Sequence, residues 1–406
     1  MKRIVNKDYF ARARVGLFTH YTYATYNTAT GTDWGGTHYS AADPRGARSA
    51  EEAAALFDGA AYAKTAYDLG AEYVVFTLAH AGFNLLFPSE TMKTTGCTHK
   101  CAEIADLPRK LMDGLAPYGI PLVFYLPPND DHDIDVEDLR KMGWLEDREG
   151  RTQFLVRLVN ELYDRYGTDF AGFWFDQGGP DARVKEAILR RDPNAVVFVN
   201  TGVTANEVEH PLSDFLVSEY YGSIESCDSD TLPVHYSQVN RQIGNWWARG
   251  GKAPTDARNL YRYTVRTIAV EGQYNGGVAW SCGPYLDQTW ETGVRELLGE
   301  LGDMLKSHDG IYDTVPGRCY PTKPNSTLSG DEWGVSTETE DGGRVYLHVL
   351  NRPADGVLKL TLPENGRTFT SACFGETVLT VFRSAEGYEI SLPPADDGID
   401  TVICLT

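Results

Sequence analysis

The sequence predicts a (β/α)8-type barrel, TIM-like though not necessarily regular, over residues 1–315, followed by a small C-terminal antiparallel β-sandwich over residues 316–406. Three observations predict it. Short apolar runs bounded by turn residues recur along the chain, each apolar on both faces, as strands of a parallel sheet covered by helices must be. Segments with helical spacing alternate with them, and seven or eight such strands over some 315 residues suit a barrel better than an open sheet. After Asp313–Gly317 the texture changes to short alternating strands separated by Gly, Pro, Asn and Asp, without a helical stretch.

Taken in order, Arg14–Tyr21 reads as a first strand that ends in His20, and a polar loop carrying Trp34, His38 and Tyr39 follows. Asp58 caps a helix whose apolar positions Ala61, Tyr62, Thr65, Ala66 and Leu69 recur at helical spacing, and Gly70 ends it. Glu72–His80 is the next buried strand, again ending in a His. Leu107–Leu115 is helical, Pro121–Leu126 is a strand, and a loop with Asn129, Asp130, Asp131, His132 and Asp133 comes after it. Phe154–Tyr166 is an amphipathic helix that feeds the stretch around which the chain is organised, Phe170–Phe175, with Asp176 at its end and Gly178-Gly179 beyond. Arg183–Arg191, Asn259–Val270 and Glu291–His308 read as helices; Ala195–Asn200, Phe215–Tyr221 and Gly277–Cys282 read as strands. In the C-terminal part the expected strands are Arg344–Leu350, Val357–Leu362, Thr377–Phe382, Tyr388–Leu392 and Thr401–Leu405.

The formal net charge of −20 repels phosphate backbones and anionic bilayers, which sets nucleic-acid and membrane partners aside. Met1–Asp8 has charge but no apolar h-region, and no run of 18 apolar residues occurs, so the expectation is a soluble, unexported, cytoplasmic protein. Seven cysteines scattered through 406 residues do not resemble a disulfide framework. Eight Trp and 23 Tyr are a heavy aromatic load, of the kind that carbohydrate sites use as well as cores.

In a barrel, polar groups at strand ends converge on one face, and that is where barrel enzymes place their chemistry. His20, His80, Asp176 and Glu219 would line one pocket, with Trp34 and the Asn129–Asp133 loop over it; Tyr125 and Trp174 belong to strands feeding the same face. Two carboxylates flanking one bond are the minimum equipment of a retaining glycosidase, with Asp176 suited to the nucleophile and Glu219 to the acid/base. Competing structural roles exist for each. Asp176 could cap a helix, Glu219 could close a strand-end salt bridge, and the two His could hold loops. Cys97, His99 and Cys101 offer ligands but no matching second pair, and Asp130, Asp131 and Asp133 lack the Gly and Glu of a calcium loop, so no metal is expected.

These stretches resemble the α-L-fucosidases of glycoside hydrolase family 29. Gly16–His20 is similar to the family's opening strand, and Phe57–Thr77 with His80–Phe83 to its second βα unit and His-containing loop. Phe173-Trp-Phe-Asp176 matches its nucleophile motif, and Asn275-Gly-Gly, Gly283-Pro284 and Gly310-Ile-Tyr312 resemble the close of its barrel. The resemblance implies a retaining exo-glycosidase without metal or organic cofactor. Asp176 would form the glycosyl-enzyme, Glu219 would be acid/base by position with Glu225 as runner-up, and Trp246-Trp247 would be an aromatic platform. The sequence departs from the family pattern where Tyr21-Thr22 stands for Trp-Gly, where a single His80 precedes Ala81-Gly82-Phe83, and where Thr201 stands for an Arg. The expected partner is a small glycoside carrying fucose or a related sugar, and a homo-oligomer is left open. A carbohydrate-binding protein on a retired hydrolase scaffold is the alternative, recognised by binding without turnover.

Overall fold

The computed structural model describes residues 5–23, 49–129, 131, 134–145, 148–176, 178–200, 210–215, 217–220, 238–242, 256–270, 277–290, 292–322, 333–394 and 398–406, with the backbone alone at 81, 218–220 and 238–242. Helix α1 (Lys7–Phe10) leads into β1 (Val15–Thr19). There follow α2 (Ala50–Leu56), α3 (Gly59–Leu69), β2 (Tyr73–Thr77), α4 (Glu90–Thr94), α5 (Leu107–Leu115), β3 (Leu122–Leu126), α6 (Val136–Met142) and α7 (Arg148–Tyr166). The barrel continues through β4 (Gly172–Phe175), α8 (Ala182–Arg191), β5 (Val196–Val199), β6 (Val217–Tyr220), β7 (Gln238–Gln242), α9 (Ala257–Ile268), β8 (Val278–Ser281) and α10 (Val294–Ser307).

The eight strands form one parallel sheet in the order β5-β4-β3-β2-β1-β8-β7-β6, the order of a (β/α)8 barrel. At the seam between β5 and β6 the segment leading into β6 lies along β5. There the Asp214 N–H donates to Val197 O at 2.7 Å, the Val199 N–H donates to Ser213 Oγ at 2.9 Å, and Phe215 stacks on Phe198 at 5.4 Å. β7 was not expected from the sequence. Its residues, Gln-Val-Asn-Arg-Gln, form no apolar run, and only the ladders to β6 and β8 reveal it as a strand.

Alternation along each strand divides the barrel into two cores. Phe18, Tyr73, Val75, Val123, Tyr125, Trp174, Val196, Phe198 and Ala279 fill the interior, while Leu17, Val74, Phe76, Phe124, Phe173, Phe175, Val197 and Trp280 face the helices. Each of these large side chains contributes roughly 1.5–3 kcal/mol through burial, so a one-residue register slip would be costly at every strand. The helices carry their own signals: Asp58, Asp106, Asp181 and Asp256 accept N-cap hydrogen bonds, and Gly70 ends α3 in the left-handed conformation. No helix among the described residues is long and apolar enough to cross a membrane.

The C-terminal part is a β-sandwich of β9 (Thr314–Pro316), β10 (Gly334–Thr339), β11 (Val345–Val349), β12 (Val357–Thr361), β13 (Ala372–Phe374), β14 (Thr377–Leu379), β15 (Val381–Arg383), β16 (Gly387–Ser391) and β17 (Thr401–Leu405). One antiparallel sheet has the order β14-β13-β17-β11-β10-β9 and the other β12-β16-β15. The single strand expected at Thr377–Phe382 is two strands in different sheets. The chain crosses between them at Thr380, whose carbonyl accepts from the Ser391 N–H at 3.2 Å. A buried polar chain ties the sandwich to α9. The Tyr261 hydroxyl donates to Asp400 Oδ2 at 2.8 Å, His348 Nδ1 lies 2.7 Å from the same oxygen, and the Thr337 hydroxyl, 3.2 Å from His348 Nε2, donates to Gly310 O at 2.6 Å.

Candidate active site

The site starts from β4. Phe173 and Phe175 point into the helix layer and stack on each other at 5.6 Å, so the residues between and after them point inward. Trp174 takes the first inward position, edge-on to Phe18 at 5.2 Å and stacked on Phe198 at 5.4 Å. Asp176 takes the next one up, half-buried at the C-terminal mouth, its N–H directed to Leu126 O at 3.3 Å. The next helix, α8, is capped by Asp181, so Asp176 is not its N-cap.

Neighbouring strands hold that carboxylate. The Tyr125 hydroxyl on β3 donates to Oδ2 at 2.6 Å, and Asn200 Nδ2, just past β5, donates to Oδ1 at 3.0 Å. A donor on each oxygen fixes the carboxylate plane. Beside Tyr125 lie the two His. His20 is 4.4 Å from the Tyr125 ring and 4.6 Å from His80, and His80 stacks on Tyr125 at 5.5 Å with 11° between planes. Burial, with a smaller contribution from His80, pushes His20 well below the usual imidazole range, so its ring is neutral near pH 7. The backbone beyond His20 is pinned to β2, where Thr77 Oγ1 accepts from the Tyr21 N–H at 2.8 Å and donates to Tyr21 O at 2.9 Å. Tyr21 itself turns outward and its hydroxyl donates to Ala53 O at 2.9 Å, so this departure from the family pattern is built into the helix layer.

The turn after Asp176 is sharp. Gly178 and Gly179 have φ of +84° and +77°, where a side chain is strained. The Gly179 N–H returns to Asp176 O at 3.2 Å, the Gly178 N–H to Asn200 O at 3.3 Å, and Asn129 Nδ2 clamps Gly179 O at 2.9 Å. His210, half-buried and pushed below its usual pKa mainly by burial, packs on the same turn.

The structure thus brings Asp176, Tyr125, His20 and His80 together, with Trp174 one layer beneath. Glu219 lies on β6 in register with Asn240 of β7, and its side chain is outside the described set. Trp34, Glu225, Trp246, Asp130, His132 and Asp133 also lie outside the described residues. Cys97, His99 and Lys100 converge instead on Asp138: His99 Nε2 is 2.8 Å, the Lys100 ammonium 3.6 Å and the Cys97 thiol 3.6 Å from its carboxylate. Sequence reasoning missed Asn200 and His210 as site residues. Asn200 carried a usable signal, since it ends an apolar strand as His20 and Asp176 do.

The sequence profile of a family described as alpha-L-fucosidase matches residues 2–309. None of the curated proteins matches the chain significantly. Among solved structures, an alpha-L-fucosidase GH29 from Bacteroides thetaiotaomicron is similar, with a TM-score of 0.69 at 17% identity over 98% of this chain and 94% of that one. A trapped covalent intermediate of a GH29 alpha-L-fucosidase from Bacteroides thetaiotaomicron, with 2-fluoro-fucosyl fluoride, gives a TM-score of 0.69 at 18% identity over 98% and 95%. The alpha-fucosidase of Thermotoga maritima in complex with fucose gives a TM-score of 0.63 at 19% identity over 99% and 97%.

Proposed function

The chain belongs to the α-L-fucosidase family of glycoside hydrolases, and on that premise we propose that it releases a terminal α-L-fucose, or a close stereochemical relative, from a small glycoside with retention of configuration. Asp176 attacks the anomeric carbon while Glu219 protonates the departing glycosidic oxygen, giving a glycosyl ester on Asp176 and the free aglycone. Glu219, now ionised, takes a proton from water; the resulting nucleophile breaks the ester, frees the sugar and restores both carboxyl groups. His20, Trp34, His80, Tyr125, Trp174 and Trp246 shape the sugar site. A neutral His20 can accept or donate a hydrogen bond to a sugar hydroxyl without adding charge beside the nucleophile.

The observation that carries the reading is the carboxylate of Asp176, presented at the C-terminal mouth with Tyr125 on one oxygen and Asn200 on the other. A nucleophile must be held in one plane for in-line attack, and this arrangement holds it. The substitutions at Tyr21-Thr22, Ala81-Gly82 and Thr201 alter groups that bear on sugar hydroxyls, and hydrogen-bonding sites discriminate strongly between epimers. The sugar is therefore held at fucose or a relative. The test is a panel of nitrophenyl glycosides that includes α-L-fucoside, run with wild type and Asp176→Ala. Release that disappears in Asp176→Ala, with unfolding unchanged, is expected; release that survives the substitution overturns the assignment.

A further inference from the structure

We infer that Asn200 is a positioning residue for the nucleophile: it orients the Asp176 carboxylate through Oδ1. This rests on the proposed function for its catalytic meaning, and on geometry for the contact itself. Asn200 is 2% exposed, immediately follows β5, and is anchored at both backbone groups. Its N–H donates to Phe175 O at 2.8 Å and its carbonyl accepts from the Gly178 N–H at 3.3 Å. With the backbone held from β4 on both sides of Asp176, the side-chain amide has little freedom, and Nδ2 meets Oδ1 at 3.0 Å. Tyr125 occupies the other oxygen from the opposite strand, so the carboxylate is gripped across its width. A hydroxyl on β3 can rotate away as an oxygen attacks; an amide on a short side chain whose backbone is bonded to Phe175 and Gly178 has less room to do so. Asn200 would therefore stay with the carboxyl group from the free enzyme to the glycosyl ester, where Oδ1 becomes the ester carbonyl oxygen if Oδ2 attacks.

The described titratable groups around this pair are Tyr125 on Oδ2, His20 and His80 against the Tyr125 ring, and His210 against Gly179. Asn200→Ala removes a donor to the charged form. Asn200→Asp keeps the shape and puts a second carboxyl at the same distance, which raises the titration of one member of the pair. Full-length protein labelled with ¹³C-carboxyl aspartate, with Asp176→Asn to assign the signal, reads the Asp176 titration directly, whether or not any glycoside is turned over. The expected result is an upward shift in Asn200→Ala and a larger one in Asn200→Asp. On an active glycoside, Asn200→Ala should lose about ten- to a hundredfold in kcat with KM little changed, as the loss of one hydrogen bond to a charged group implies. An Asp176 titration identical in wild type and both variants overturns the inference. Shifted titrations without turnover in wild type would instead leave the positioning intact and count against the glycosidase reading.

Discussion

Replacing Gly178 and Gly179 by Ala, one at a time, separates backbone strain from steric overlap in the turn beyond Asp176. Both residues have positive φ, +84° and +77°, so either Ala carries about 1–2 kcal/mol of strain. A Cβ on Gly178 meets nothing within 4 Å among the described residues. On Gly179 it would come within 2.6 Å of Val199 Cγ1 and 3.2 Å of His210 Cε1, and overpacking of this kind adds roughly 1–3 kcal/mol. Gly178→Ala should therefore destabilise by about 1–2 kcal/mol and Gly179→Ala by about 2–5 kcal/mol. The difference extends to rate. Relief of the overlap displaces the backbone that bonds to Asp176 O and to Asn129, and misplacing a catalytic group by about 1 Å can cost on the order of a hundredfold. Urea unfolding and kcat on a nitrophenyl glycoside read the two effects. Gly178→Ala should keep kcat near wild type while Gly179→Ala loses most of it. Equal stability and equal kcat in the two variants would refute the packing account of this turn.

Three further outcomes are expected. His20 resists protonation in the folded state, whereas the unfolded chain takes up that proton near pH 6.5; its contribution is full above that pH and is lost as pH falls below it, by up to about 1.4 kcal/mol per pH unit. His20→Gln should accordingly show a smaller drop in urea midpoint between pH 7 and pH 5 than wild type, and an identical drop counts against a neutral buried ring. Glu219→Ala should slow hydrolysis of natural glycosides by about 10²–10⁴-fold while sparing aryl glycosides with good leaving groups; equal losses on both substrates argue against Glu219 as acid/base. Asp400→Ala takes away the acceptor shared by Tyr261 and His348, at about 1–3 kcal/mol for each buried donor, and unchanged unfolding would show the network to be dispensable.

Much of the fold was legible because burial on both faces leaves a plain mark. Phe170–Phe175 is apolar throughout, and the carboxylate that ends it stands out for that reason. β7 left no such mark, since Gln238–Gln242 is mostly polar and its place comes from the ladders on either side. The break at Thr380 was equally hidden, because Thr377–Phe382 alternates well enough for one strand and only the sheet crossing divides it. His20, His80 and Asp176 stood out by their positions at strand ends, and the structure brings them together around Tyr125. Asn200 shares that position, but a neutral amide carries no chemistry of its own. Its role lies in a cross-strand bond to Oδ1, and pairing between strands that are distant in sequence is what a linear pattern does not contain.

The most direct test of the central claim is covalent trapping with 2-fluoro-fucosyl fluoride, whose fluoride leaves without help from an acid. Peptide mass mapping should find one glycosyl adduct on the peptide containing Asp176, at Asp176 itself, and none in Asp176→Ala. A stable adduct on another carboxylate, or undiminished glycoside turnover in Asp176→Ala, would contradict the assignment of Asp176 as nucleophile.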